Sequence, residues 1–231
     1  MKIGSVLITG ALFCAPAMYG TSVYTAAGNL NNGDPINAQA AFTFGAGTLQ
    51  IVLSNLVIDQ HDIGQDLSGI SFTLGGISGD TIGLVSSFSG TDRSSITPGM
   101  PSGWADSSDS TNHWFLTNSA GNFDLTAPAN PAGDYTIVGG PNGNDMYTHA
   151  DTSVDDHMLL AVTATWNFNV PGVTAATADE IYHVTFFFGT APNQAHLPGE
   201  LTDISDVPEP LSFALVGGGL LLIGLRRKFP G

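Results

Sequence analysis

Apolar and polar residues alternate along much of the chain with a period of two. Residues 48–56 show this alternation, and the longest run is 158–170, where Leu160, Ala164 and Trp166 share one face. Residues 181–189 are partly apolar on both faces. One apolar face is typical of a half-buried strand, and two are typical of a central strand. The patterns predict strands over 38–44, 48–56, 70–74, 82–88, 113–117, 123–125, 135–138, 158–170 and 181–189.

Glycine, proline and asparagine separate these short strands. Many short strands with such turns predict an all-β fold, an antiparallel β-sandwich of jelly-roll or immunoglobulin-like topology, over residues 18–189. A β-helix is disfavoured because no repeat of fixed period is present. The remaining segments lack apolar periodicity: 18–37 are predicted as turn-rich, 29–34 and 59–66 as polar loops, 89–112 and 139–157 as long loops, and 190–206 as a linker.

Acidic residues dominate the chain, which has 20 Asp and Glu against 5 Lys and Arg in 231 residues. Four of the five basic residues lie in the terminal segments, so Arg93 is the single base between residues 18 and 207. Nucleic-acid binding needs clustered Lys and Arg, and this composition therefore predicts no nucleic-acid partner. An acidic surface favours solubility and cation binding.

The first 17 residues have the pattern of a secretory signal peptide. Lys2 precedes an apolar run, and Ala15-Pro16-Ala17 provides a small-x-small cleavage site. Cleavage is expected after Ala17, with Gly20 and Ala27 as alternatives. The single cysteine, Cys14, lies inside this segment, so the mature domain is expected to have no disulfide.

Three elements follow one another at the C-terminus. Pro208-Glu209-Pro210 is rigid, residues 211–225 carry no charge, and a basic cluster closes the segment. As a helix the apolar run would span roughly 22 Å, short of the roughly 30 Å hydrocarbon core. Snorkelling of the basic side chains helps so short a helix to span, and the positive-inside rule keeps them cytoplasmic. The segment 207–231 therefore predicts a short transmembrane helix with a basic tail.

This order of elements resembles the PEP-CTERM sorting domain of Gram-negative bacteria. The resemblance covers 207–231 and implies recognition by an exosortase, a membrane transpeptidase with a cysteine nucleophile. It assigns the recognition motif to Pro208, Glu209 and Pro210 and the retention signal to Arg226, Arg227 and Lys228. It also implies a precursor held briefly in the inner membrane, a final location at the cell surface or outside the cell, and an association with extracellular polysaccharide.

The loop 139–157 is the strongest candidate for a metal site. Hard oxygen ligands at close spacing suit Ca²⁺, although the spacing does not follow the EF-hand template. The candidate ligands are Asn142, Asn144, Asp145, Asp151, Asp155 and Asp156, with His149 and His157 nearby. The alternative is a solvated loop, since Asp and Asn are common in turns.

No catalytic constellation is evident. The chain has no Gly-x-Ser-x-Gly elbow, and nothing singles out one pair of carboxylates for glycoside hydrolysis. Trp104, Trp114, Phe115 and Tyr147 lie in or beside the long loops, where they either stack on sugars or plug the ends of the sandwich. Trp166 is expected in the core.

The sequence therefore predicts an exported, exosortase-sorted protein of the cell surface or extracellular matrix, structural or adhesive and without enzyme activity. Two alternatives are a secreted hydrolase that acts on a polymer and a calcium-binding surface module. An acid pair in an aromatic-lined groove would favour the hydrolase.

Overall fold

The structure is a computed structural model, and it describes residues 18–75, 85–119, 121–171, 181–190 and 194–205. The predicted signal peptide, sorting motif, retention signal and apolar C-terminal helix lie outside these ranges. None of the helical segments in these ranges has the length and hydrophobicity of a membrane span.

The described chain is mostly β-structure and contains almost no helix. Its helical parts are a 3₁₀ turn at Ile63–Gln65 and the four-residue helix α1, Thr152–Asp155. The first strands are β1 Met18–Asn29, β2 Pro35–Gly45, β3 Thr48–Asn55, β4 Leu67–Leu74, β5 Val85–Ser94, β6 Ala105–Asp109 and β7 Phe115–Ser119. The others are β8 Asn122–Thr126, β9 Ile137–Val138, β10 Leu159–Ala161, β11 Thr163–Asn169, β12 Ile181–Phe188, β13 Ala195–Pro198 and β14 Glu200–Ser205.

All these strands belong to one large sheet. Its order is β13-β12-β4-β9-β10-β5-β11-β3-β2-β1-β14, with β6 paired to β5 and the β7–β8 hairpin attached to β4. The named pairs are antiparallel except β9 with β10, which run parallel. The all-β prediction is therefore confirmed, and a purely antiparallel sheet is not what forms.

Aromatic side chains join the two halves of the sheet. Phe42 of β2 contacts Phe72 of β4 with ring centroids 5.1 Å apart, and Phe72 stacks on Phe123 of β8 at 5.6 Å. Tyr24 of β1 packs edge-on against Phe42 and donates a hydrogen bond to Ile181 O of β12 at 2.7 Å. The sheet thus packs on itself in two layers, and each buried Phe contributes about 1.5–3 kcal/mol of hydrophobic stabilisation.

The strands with regular alternation are where the sequence placed them. The inward residues of β2 and β3, among them Phe44 and Leu49, are fully buried, and Trp166 of β11 is buried as predicted. The run 158–170 is divided, however. Val162 adopts a left-handed backbone with φ of 58°, so β10 ends before it and β11 starts after it.

Three segments form strands where the sequence predicts turns, a loop or a linker. Residues 18–29 form β1, whose buried positions include Gly20, Ser22 and Ala26, residues too small or polar to show a hydrophobic pattern. Residues 89–112 contain the end of β5 and all of β6. The predicted linker 190–206 contains β13 and β14, strands at the two ends of the sheet order with largely exposed side chains.

Candidate functional site

Three loops meet beside the start of β2 and enclose a cavity of about 290 Å³. They are residues 30–34 between β1 and β2, 56–66 between β3 and β4, and the loop that follows β9. Because β2 and β3 form a hairpin, the start of β2 and the end of β3 lie at the same edge of the sheet. The cavity is lined by Asp34, Pro35, Ile58, Asp59, His61, Gln65 and His149.

One wall of the cavity holds the pair His61–Asp34. Nδ1 of His61 lies 3.2 Å from Oδ2 of Asp34. The hydrogen bond to Asp34 is the largest effect and raises the pKa of His61; burial lowers this pKa, and the negative charges of Asp34, Asp62 and Asp151 raise it. The imidazole side chain is 56% exposed, so it remains accessible to a ligand.

A second wall holds the pair His149–Asp59, with Nδ1 of His149 3.0 Å from Oδ2 of Asp59. Burial tends to raise the pKa of Asp59. Hydrogen bonds from Thr148, Asn142 and the backbone of His149 outweigh burial and lower this pKa to about 2. Asp59 also has a left-handed backbone with φ of 57°, which an Asp tolerates better than most residues. This carboxylate is therefore ionised over the whole physiological range.

Beside the first wall, Asp62 joins Asp34 and His61. One ligand atom from each of the three lies within 4.8 Å of the other two. Asn32 donates through Nδ2 to Oδ2 of Asp34 at 2.8 Å and to Oδ2 of Asp62 at 3.2 Å. Oδ1 of Asp62 accepts a hydrogen bond from the backbone N–H of Gly64. The other oxygen, Oδ2, is then free to face Asp34 and His61.

Two buried glutamines hold the loop that carries His61. Gln65 donates through Nε2 to Pro35 O at 2.7 Å, and its Oε1 accepts from the backbone N–H groups of His61 and Asp62. Gln60 accepts from Gly139 N at 2.8 Å and donates to the buried carboxyl group of Asp66. These bonds connect the loop to β2 and to the segment after β9.

The residues predicted to bind Ca²⁺ have different surroundings from one another. Asn142 donates to Asp59, Asp145 accepts from Ser102, and the side chain of Asp151 caps α1 at Ser153 N. Asn144 bonds through its backbone N–H to Asn142, while Asp155 and Asp156 are exposed. Among the described residues, the group of acidic and histidine side chains close enough to hold a metal is Asp34, His61 and Asp62. Calcium binding by the loop residues stays a prediction.

His149 and His157, the two histidines predicted near those ligands, also lie in different surroundings. His149 lines the cavity, whereas Nδ1 of His157 lies 2.9 Å from Oδ1 of Asp134. Sequence reasoning identified His149 but not Asp34, Asp59, His61 or Asp62, whose segments it predicted only as polar loops. The feature that could have identified these residues is the hairpin formed by β2 and β3, because it brings the residues before β2 next to those after β3.

The loop aromatics lie away from the cavity lining. Trp114 and Tyr147 are buried, with Trp114 donating to Tyr135 O at 2.7 Å. Trp104 lies over Arg93, whose guanidinium carbon is 4.6 Å from the ring centroid, and Phe115 is exposed. Trp114 and Tyr147 therefore fill the interior. Of these four aromatic residues, Phe115 has the exposed side chain.

No protein-family model matches the chain, and no curated protein matches it either. Among solved structures, it is similar to the crystal structure of the KRT10-binding region domain of the pneumococcal serine rich repeat protein PsrP. The sequence identity is 15% and the TM-score 0.33, over 82% of this chain and 90% of that chain. A TM-score below 0.5 does not establish a shared fold, so the similarity carries no statement about this chain's function.

Proposed function

We propose that the protein is exported, sorted by an exosortase and delivered to the cell surface or extracellular matrix, where its β domain has a structural or adhesive role. The observation that carries this proposal is the order of segments after residue 206. A rigid Pro208-Glu209-Pro210 precedes an uncharged run over 211–225 and a basic cluster at 226–228. The apolar run is short and rich in glycine, which suits a temporary membrane anchor better than a permanent one.

The charge of the domain agrees with a role outside the cell. Arg93 is the one Lys or Arg among the described residues, and it is buried against Asp106 and Tyr147. The described surface is therefore anionic, which favours solubility and disfavours direct contact with anionic polymers. Neutral polysaccharide, or an anionic one bridged by divalent cations, fits such a surface. The two-layered β-structure is in keeping with a sandwich, whose jelly-roll or immunoglobulin-like topology stays part of the proposal.

Hydrolysis of a polymer is the competing function. It predicts two carboxylates facing a groove that is lined by aromatic side chains. The cavity described above has Asp34 and Asp59, but each is hydrogen-bonded to a histidine, and Trp, Tyr and Phe are not among its lining residues. The geometry of this cavity therefore favours binding over glycoside hydrolysis.

The test replaces Pro208, Glu209 and Pro210 with alanine in the producing bacterium. The wild-type protein is expected in processed form outside the inner membrane, and the triple variant as a larger form in the membrane fraction. Pro230→Ala changes a proline of the same tail outside the motif and should leave processing unchanged. Deletion of the exosortase should reproduce the triple variant. Equal processing of wild type and triple variant would refute the sorting role.

The adhesive role is tested separately, with the processed protein purified from the culture. It is expected to co-sediment with the producer's own extracellular polysaccharide and to release no reducing sugar from it. Release of reducing ends that scales with protein concentration would instead establish the hydrolase.

A further inference from the structure

We propose that Asp34, His61 and Asp62, with Asn32, form a binding site for one divalent transition-metal ion of the Zn²⁺ class. The three ligand atoms lie within 4.8 Å of one another. Ligands around a tetrahedral Zn²⁺, with bonds of about 2.0–2.2 Å, lie roughly 3.3–3.6 Å apart. Metal binding would have to draw the three atoms together by about 1 Å. This site is independent of the sorting signal and lies outside the loop 139–157.

The donor atoms decide which cation fits. An imidazole nitrogen and two carboxylate oxygens form a mixed N/O set, which suits Zn²⁺ and its first-row neighbours. Ca²⁺ requires six to eight oxygen ligands, more than these residues supply. Asn32 positions the two carboxylates, since its Nδ2 donates to both while its Oδ1 accepts from the backbone N–H of Asp34 at 3.1 Å, and water would supply the fourth ligand.

The local charge also favours a cation. Two carboxylates converge here, and the charge of Asp151 acts on the same imidazole. In the described part of the chain no Lys or Arg compensates them, since Arg93 is engaged by Asp106 and Tyr147. Like charges held together are costly unless a cation lies between them. A divalent ion would neutralise Asp34 and Asp62 at once.

The site is built before any metal arrives. Buried Gln65 bonds both to Pro35 O, next to Asp34, and to the backbone N–H groups of His61 and Asp62. The two ligand-bearing segments are therefore fixed relative to each other, which reduces the entropy lost on binding. The cavity of about 290 Å³ opens beside Asp34 and His61 and has room for water or a hydroxyl group to complete the coordination.

The experiment uses the purified mature protein without an affinity tag, freed of metal with EDTA that is then removed. Titration with Zn²⁺ followed by calorimetry is expected to show one ion per chain. The variants His61→Gln and Asp62→Asn should each weaken binding at least tenfold. Both are expected to fold, because the side chain of His61 is exposed and Asn at position 62 keeps an acceptor for Gly64 N.

Matched controls separate this site from other histidines and acids. His196→Gln removes an exposed histidine of β13, and Asp145→Asn removes a carboxylate of the predicted calcium loop. Neither should change the affinity for Zn²⁺ by more than twofold. Melting of each metal-free variant, compared with the wild type, verifies that the fold is intact. The proposal is overturned if Zn²⁺ does not bind, if it binds equally to His61→Gln, or if only Ca²⁺ binds.

Discussion

The carboxyl group of Asp66 accepts a hydrogen bond from Thr136 Oγ1 at 2.6 Å in the interior of the protein. Asp66 is fully buried, and its other partner, Gln60, is a neutral amide. Burial therefore dominates over both hydrogen bonds and raises the pKa of Asp66 to about 7. A buried carboxyl group in the loop that precedes β4 is thus protonated at mildly acidic pH and charged at alkaline pH.

This gives stability a pH dependence of known sign. The folded protein binds a proton at Asp66 up to about pH 7, whereas the unfolded chain loses it near pH 4. The free energy of unfolding should therefore fall as pH rises from about 4 to 7 and then level off. Asp66→Asn should remove this fall, because the amide can donate to Thr136 Oγ1, whose own hydroxyl proton is then directed to Gly133 O.

Urea unfolding at pH 5, 6, 7 and 8 measures the effect. Between pH 5 and pH 8, the free energy of unfolding of Asp66→Asn should rise relative to that of the wild type by on the order of 2–4 kcal/mol. Asp203→Asn removes an equal charge from an exposed position of β14 and should show no such trend. A constant difference between Asp66→Asn and wild type across this range would show that Asp66 has no raised pKa.

Gly139 is a position where a single added methyl group should disrupt the cavity. A Cβ atom there would lie 2.2 Å from Val57 O and 2.9 Å from Val57 C, both backbone atoms. Gly139 also donates to Gln60 Oε1, so a shift of its backbone would reach the loop that carries His61. Gly139→Ala should cost about 3 kcal/mol or more in thermal unfolding.

Gly143→Ala is the matched control for this prediction. No atom lies within 4 Å of a Cβ added at Gly143. Its effect on stability should stay within about 0.5 kcal/mol. Similar melting of the two variants would show that the close approach of Gly139 to Val57 is not maintained in solution.

No other cationic side chain should be able to replace the guanidinium group of Arg93. It donates to both carboxylate oxygens of Asp106 at 2.8 Å and to the hydroxyl group of Tyr147 at 2.7 Å. Lysine cannot form this bidentate geometry and would leave the buried Tyr147 hydroxyl with one bond fewer. Arg93→Lys should therefore lower the free energy of unfolding by about 2–3 kcal/mol.

Asp106→Asn tests the same contact from its more exposed side. The side chain of Asp106 is 36% exposed, and an amide still accepts one hydrogen bond, so the loss should be about 1 kcal/mol. Denaturant unfolding of both variants gives the comparison. An Arg93→Lys variant as stable as the wild type would contradict the importance of the bidentate geometry.

How much of the fold the sequence reveals depends on how each strand is buried. β2 and β3 alternate large apolar and polar residues, and the sequence places both to within three residues. β14 has exposed side chains at Leu201 and Ile204, and it pairs with β1, whose buried face contains Gly20 and Ser22. Backbone pairing rather than burial of side chains defines such strands, so a hydrophobic pattern cannot detect them.

The candidate site is less accessible to sequence reasoning than the fold. Asp34 and His61 are 27 positions apart, and buried Gln65 fixes their proximity by bonding on both sides of the gap. The run of acids and amides over 142–156 is close in sequence, yet Asn142 and Asp145 turn to Asp59 and Ser102. Spacing along a loop therefore says little about which side chains lie together, whereas the β2–β3 hairpin brings Asp34, His61 and Asp62 into one group.

Asp59 should stabilise the protein in the opposite pH range from Asp66. Its folded pKa of about 2 lies below the unfolded value of 3.8, so its contribution is complete above about pH 4 and is lost as pH falls through 2. Asp59→Asn should cost on the order of 2 kcal/mol at pH 7, because an amide cannot accept from Thr148 through both terminal atoms.

The length of the chain determines how far Tm should fall in Asp59→Asn. A loss of 2 kcal/mol corresponds to a fall in Tm of about 4–8 °C at pH 7. Near pH 2 the difference from the wild type should shrink, since the wild-type carboxyl group is then partly protonated too. Glu200→Gln, at an exposed residue of β14, should melt like the wild type at both pH values. An Asp59→Asn difference that is equally large at pH 2 and pH 7 would mean that packing, not the charged carboxylate, accounts for it.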